Sequence, residues 1–344
     1  MSSSVRFGLN RFDARSPQKY AASVARGEAL GFDYAFIPSS PLLIQDPYVC
    51  LSLAAMQTDR IRLGPLLENP IVRHPAVIAG SMATLERLAP GRGFLGLGVG
   101  DTAVRTVGLP PAKVATLERA TNTIVRLLDG ESMNPEDPSG HRLRHPARPE
   151  VWICAGGPRT LRMAGRVADG VFIRCGTHRA NLENALENIR GGAIDAGRDP
   201  DSVKIGAIFH TVLSEDTQEV ASIGRSAAAG YYEYTPVLLE RTGQTWDGPD
   251  VEELKKKIWQ DFHHTPDLMA AGKLVDFLPD ACVDDFSLHG SPGDIVNQLQ
   301  RVLNIYPFDI VVTHPMSAPS NRSVHEVNQA FAETIASEVI PAFR

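Results

Sequence analysis

The sequence predicts an α/β chain folded as a (β/α)8 TIM barrel. Three observations lead there. Apolar runs of strand length alternate with helical patterns along most of the chain, the signature of a parallel sheet. Eight such runs can be marked, the number that closes a barrel. Most of them end in polar or glycine-rich residues, and barrels of this kind place their chemistry at the C-terminal ends of the strands.

The first strand is expected at Val5–Leu9, followed by a helix from Pro17 to Leu30 that stops at Gly31. The second is Tyr34–Pro38, with a helix from Pro47 to Met56. The third is Ile61–Leu67, with a helix from His74 to Leu88, and the fourth is Gly93–Val99, with a helix from Ala112 to Leu128. Gly130 to Pro149 is rich in proline and charge and reads as a surface excursion. The fifth and sixth strands are Val151–Cys154 and Val171–Arg174, with helices Pro158–Ala168 and Asn181–Ala196. The seventh is Val203–Leu213, with a helix from Asp216 to Gly230. Tyr231 to Leu288 breaks the rhythm and reads as an insertion within a single domain spanning residues 1–344. Ser291-Pro292, an N-cap and an N1 proline, opens a helix to Leu303. The last strand is Phe308–Val312, and a final helix runs from Val324 to Ile340.

Of the 344 residues, 43% are apolar and 22% charged, the balance of an ordinary globular protein. The formal net charge of −6 carries no basic footprint for nucleic acid. Lys255-Lys256-Lys257 follows Val251-Glu252-Glu253-Leu254 and reads as a solvated helix face. No stretch approaches the roughly 18 apolar residues of a membrane span, and MSSSVRFGLN has no signal-peptide core. Cys50, Cys154, Cys175 and Cys282 are far apart and form no CxxC, which reads as reduced, mostly buried thiols of a cytoplasmic protein.

The expected strand ends carry the candidate chemistry. Asn10 and Asp13 follow the first, Ser39 and Ser40 the second, and Glu68, Asn69 and Pro70 the third. Gly100 and Asp101 follow the fourth, Ala155-Gly156-Gly157-Pro158-Arg159 the fifth, Cys175, Gly176, Thr177 and His178 the sixth, and His314 the last. The run GLGVGD is not a dinucleotide fingerprint, because its spacing is GxGxG and the next helix is expected only after Pro110-Pro111. Its glycines would let a flat ligand approach the backbone, and Asp101 is either a polar contact or a loop cap. The AGGPR corner is either a plain turn or an anion site: glycine clears the approach, Pro158 suits N1, and the first-turn N–H groups point outward. Arg162 and Arg166 share a helical face with Arg159 and are expected to be solvated or paired, for example with Asp169. His263-His264 is expected to be exposed. No HExxH, histidine cluster, GxSxG or Cys/His signature points to a metal or a nucleophile.

The run LGPLLENPIVRHPAVIAGSMATLERLAPGRGFLGLGVGD resembles the luciferase-like family, on the branch of deazaflavin-dependent enzymes that includes methylenetetrahydromethanopterin reductase. VWICAGGPRTLRMAGRVADGVFI is a second match, and FLPDACVDDFSLHGSPGDIVNQL a weaker third. The resemblance implies a (β/α)8 barrel with an insertion before the last strand, a flavin-type ring at its C-terminal mouth, and hydride transfer at that ring. The implied cofactor is coenzyme F420, with FMN as the alternative. The family's glycine-proline loop, here Ala155 to Arg159, would cradle the cofactor phosphate, and a non-proline cis peptide is implied at Leu66–Leu67. Ser39, Glu68, Asn69, Gly100, Asp101, Cys175 and Thr177 join these as cofactor-binding candidates, and Asp101 and Ser40 are the catalytic ones.

The branch commonly has Asp-His where this chain has Ser39-Ser40, and serine is a poor acid near neutral pH. Two rivals stay open: an FMN-dependent monooxygenase on the same fold, and a flavin-binding protein without turnover, whose only support is that departure. Val283-Asp284-Asp285-Phe286-Ser287 lacks the basic groups with which sugar-phosphate enzymes of the family hold their substrate. The expected partners are a small-molecule substrate and a second copy of the chain in a homodimer, with neither nucleic acid nor membrane.

Overall fold

The computed structural model describes residues 5–259 and 261–344, and in it strand and helix alternate in the expected order. The chain runs through β1 (Arg6–Leu9), α1 (Pro17–Ala29), β2 (Tyr34–Ile37), α2 (Pro47–Ala55), β3 (Arg62–Pro65), α3 (Pro75–Leu88) and β4 (Phe94–Leu97). It continues with α4 (Thr102–Arg105), α5 (Val114–Leu128), β5 (Glu150–Ala155), α6 (Pro158–Val167), β6 (Gly170–Ile173), α7 (Arg179–Asp195) and β7 (Lys204–Leu213). Helices α8 (Thr217–Tyr234), α9 (Val237–Arg241), α10 (Val251–Lys255), α11 (Leu268–Lys273) and α12 (Ala281–Phe286) follow. The chain closes with β8 (Leu288–Gly290), α13 (Pro292–Ile305), β9 (Ile310–Pro315) and α14 (Val324–Thr334). Helix starts follow local chemistry: the side chains of Ser16, Asp46, His74, Asp216 and Ser291 each accept a first-turn N–H of the helix they precede.

Contacts group the chain into two units. The larger comprises Gly8–Phe172 and Asn188–Ile205. In it β1 pairs with β2 and β2 with β3, all parallel, with Tyr34 opposite Arg62. Bridges Leu63–Gly93 and Glu68–Leu97 join this run to β4, which pairs with β5, and β6 lies beside β5. Tyr34, Phe36, Phe94, Trp152 and Phe172 fill its interior, with neighbouring ring centroids 4.9 to 5.8 Å apart. Burying each such ring stabilises the unit by about 1.5–3 kcal/mol. At the N-terminal ends of these strands Glu150 accepts hydrogen bonds from Arg62 (3.1 Å), Lys204 (2.7 Å) and Trp152 (3.0 Å). Burial pushes the Glu150 carboxyl up, but Lys204, Arg62 and Trp152 more than offset this and hold it at about 2. The interior and this clamp leave the opposite ends of the strands to carry the site.

The smaller unit comprises Ile173–Glu187 and Gly206–Arg344, with residues 5–7. Its centre is β7, paired in parallel with β9 (His210 opposite His314) and, at its end, with β8. The three-residue β8 lies where no strand was expected, because LHG is too short to show a period. Helix α8 continues to Tyr234, four residues past the expected end at Gly230. Ser226 Oγ on α8 donates to the Phe262 carbonyl at 2.7 Å, which ties the following segment to that helix.

Two further expectations are corrected. A four-residue helix, α4, begins directly after Asp101 rather than after Pro110-Pro111. Arg162 and Arg166 are paired, but with Asp195 and Glu118, whereas Asp169 is engaged by Arg148.

Candidate active site

In the larger unit the chain leaves β3 through a bulge. The Leu66–Leu67 peptide is cis, the geometry that the resemblance implied. The bulge lies directly against β4, with Glu68 N–H donating to the Gly96 carbonyl (2.8 Å) and Gly98 N–H to the Glu68 carbonyl (3.0 Å). A Cβ on Gly96 would lie 2.7 Å from Leu66 Cδ1, and one on Gly98 2.7 Å from Leu67 Cδ2. These two glycines of GLGVGD therefore make room for the bulge itself, where the sequence had suggested close approach of a ligand.

Glu68 is fully buried at the end of this bulge. Its Oε2 accepts from Ser39 Oγ (3.1 Å) and Tyr48 OH (3.3 Å) and is ion-paired with Arg73 Nε (3.2 Å), and its Oε1 accepts from Asn69 N–H (2.9 Å). Burial raises the carboxyl above its ordinary range, and the three donors and the Arg73 charge pull against it. Arg73 is itself fixed by Asp46 (2.9 Å) and lies over the Tyr48 ring. Asn69 accepts the N–H groups of Ile71 and Val72, which leaves its buried Nδ2 as a donor with no partner. An unmatched buried donor of this kind is costly unless something accepts from it.

The second feature is the corner between β5 and α6. Gly157 occupies the N-cap position at φ −84 and ψ 147, a conformation open to any residue, and provides no side-chain cap. Glycine there is not demanded by the backbone, so its use lies in leaving the first-turn N–H groups of a ten-residue helix uncovered. At the other end Arg198 donates to the carbonyls of Gly165 (2.9 Å) and Ala168 (2.8 Å). Arg159 is exposed, and none of the described ion pairs includes it.

The remaining candidates fall as follows. Asp101 caps no N–H of α4; its carboxylate is held by Arg105. Gly100 has φ +71 and packs on Asn69. Ser39 is buried on Glu68, whereas Ser40 is part-exposed and its carbonyl closes the turn to Leu43 and Ile44. Cys175 and Thr177 belong to the smaller unit. Burial pushes the Cys175 thiol up to about 12. The Thr177 hydroxyl and amide are spent on the carbonyls of Asp284 (2.5 Å) and Asp285 (2.9 Å).

The smaller unit holds a cluster that the sequence reading missed. Arg174 Nη2 lies 3.2 Å from His210 Nε2 and 3.2 Å from His263 Nδ1. His263 Nε2 lies 2.9 Å from the Ala227 carbonyl. The rings of Tyr231, His210 and His263 pack together, and His314 lies against His210 at 5.2 Å. His263 is buried, where the sequence had suggested exposure. The slot is Gly230 on α8, where a Cβ would stand 2.2 Å from the imidazole. His264 is part-buried on Asp261, at 2.8 Å. The available signals were a histidine inside the apolar run IGAIFHTVL and an arginine ending GVFI.

A profile described as luciferase-like monooxygenase matches residues 5–306. The chain belongs to this luciferase-like family. One relative, the 5,10-methylenetetrahydromethanopterin reductase of Methanopyrus kandleri, is 27% identical over 99% of both chains. The phthiodiolone/phenolphthiodiolone dimycocerosates ketoreductase of Mycobacterium bovis is 30% identical over 80% of this chain and 76% of that protein. The solved coenzyme F420 dependent tetrahydromethanopterin reductase from Methanopyrus kandleri superposes with a TM-score of 0.75 at 24% identity, over 99% of this chain and 100% of that one. The fold of this luciferase-like protein is therefore the (β/α)8 TIM barrel that the alternation predicts. Among the described residues no helix is long and apolar enough to cross a membrane, and no three His, Cys, Asp or Glu side chains are placed to hold a metal ion together.

Proposed function

We propose that this protein is an F420-dependent oxidoreductase that moves a hydride between the deazaflavin and a small organic substrate, the whole chain acting as one catalytic domain. The observation that carries this reading is the uncapped N-terminus of α6 behind Gly156-Gly157-Pro158, in a chain collinear over 99% of its length with a methylenetetrahydromethanopterin reductase. The residues fit the group: a helix start with free N–H groups suits a phosphodiester, and the unpartnered Asn69 Nδ2 suits a ring oxygen.

F420, when bound, supplies a two-electron hydride carrier. The chain's own residues bind and orient. The first-turn N–H groups after Gly157, with Arg159, hold the phosphate. Leu66 and Leu67 back the ring, braced by Gly96 and Gly98. Glu68, Ser39, Tyr48 and Arg73 fix that backing from behind. Asp101, steadied by Arg105, is the polar group we assign to the substrate side, with Ser40 as a neighbouring hydroxyl.

Reduced F420 offered with a panel of ketones, enones and imines tests this directly. The expected result is recovery of the oxidised deazaflavin's visible absorption with at least one substrate class, and about 10²-fold slower turnover in Asp101→Asn. Tight binding with no turnover on any class, or oxygen-dependent turnover with reduced FMN alone, would overturn it.

A further inference from the structure

Arginines in protein interiors are ordinarily fixed by carboxylates, which also cancel their charge. Arg174 is fixed differently. Guanidinium nitrogens only donate, so His210 Nε2 and His263 Nδ1, each 3.2 Å from Nη2, must both present lone pairs. The proton of His263 then sits on Nε2, against the Ala227 carbonyl. That of His210 sits on Nδ1, which is buried with no partner. Both rings are therefore neutral. Burial and the neighbouring guanidinium keep them so, lowering His210 and pushing His263 down to about 3.

The carboxylate packed beside the cluster, Asp261, is directed elsewhere: it is taken by His264 Nδ1 (2.8 Å) and by the N–H groups of His263 and His264. Among the described residues Arg174 has no carboxylate partner, its Nε is buried with nothing accepting from it, and its Nη1 makes no hydrogen bond within the protein. The Tyr231 hydroxyl lies beside Arg174 and the Gly176 N–H, which pull against the upward push of burial on it. The side chain as a whole is part-exposed. Two lone pairs thus hold the guanidinium in place and leave its charge intact.

We propose that Arg174, positioned by His210 and His263, is an anion-binding group within the smaller unit, and that its ligand carries a carboxylate. One formal charge beside two neutral rings matches a monoanion better than a phosphate dianion. The side chain's single free terminal nitrogen is the donor offered to it, in a charge-assisted bond. Anion binding at Arg174 does not depend on which cofactor the protein holds.

Calorimetric titration of the holoenzyme with benzoate, benzamide and phenylphosphonate tests this. Benzoate should bind saturably and at least about tenfold tighter than benzamide, the range of one charge-assisted hydrogen bond. Arg174→Met should abolish that preference and Arg174→Lys retain part of it. His210→Asn should shrink the benzoate-to-benzamide ratio while benzamide binding stays put, a change that simple loosening of the fold would not produce. A ratio near one in the parent protein overturns the proposal even if no variant folds. So does an unchanged ratio in Arg174→Met. Phenylphosphonate binding tighter than benzoate overturns the carboxylate assignment.

Discussion

Glu68 and His263 show how differently two buried titratable groups are tolerated. Glu68 keeps three hydrogen-bond donors and the Arg73 charge on one carboxylate. His263 keeps its neutral form, because burial and Arg174 push it down to about 3. In the unfolded chain the same imidazole protonates near its ordinary value of 6.5. Between these two values the unfolded state binds the extra proton, so stability falls as pH drops through that window and is retained above it. Urea midpoints measured across this range should therefore decline toward acid in the parent protein and decline less steeply in His263→Gln. Equal slopes would show that His263 does not carry the acid sensitivity. Neither residue's environment was legible in the sequence. Glu68 was marked only because it follows a strand. Its partners Tyr48 and Arg73 lie 20 residues before it and five residues after it, on elements whose packing no local pattern reports. His263 was misjudged because a His-His pair in a polar segment looks solvated, and only the Gly230 slot on a distant helix buries it.

At the scale of elements, the β5–α6 corner was the most readable part of the site. Strand, two glycines, an N1 proline and a helix each have a local physical cause, and they occur in sequence order. The glycines of the β4 end were legible as a need for close approach but not as to what approaches, because the Leu66–Leu67 bulge comes from the neighbouring strand. This separates two kinds of glycine variant. Gly157→Val should fold, since its φ of −84 suits any residue, yet lose phosphate-bearing F420 by at least about tenfold through blocked approach. It should leave the bare deazaflavin ring bound as before. Arg159→Ala, removing an exposed charge, should cost less, and its effect should fade at high salt. Intact F420 binding as tightly to a folded Gly157→Val as to the parent would remove the corner from the site.

For the whole molecule, the alternation of apolar runs was enough to reach the barrel, because parallel strands buried on both faces leave continuous apolar segments. The segment 231–288, which the sequence offers as an insertion, escaped this logic. Helices α9 to α12 are five or six residues long, and β8 is three, too short for periodicity to mark. The most direct test of the account is native mass spectrometry of the protein purified from a host that makes both FMN and F420. The expected result is a mass increment series spaced by the glutamates of the F420 tail, lost on Gly157→Val. A single increment matching FMN, with no F420 series, would contradict it.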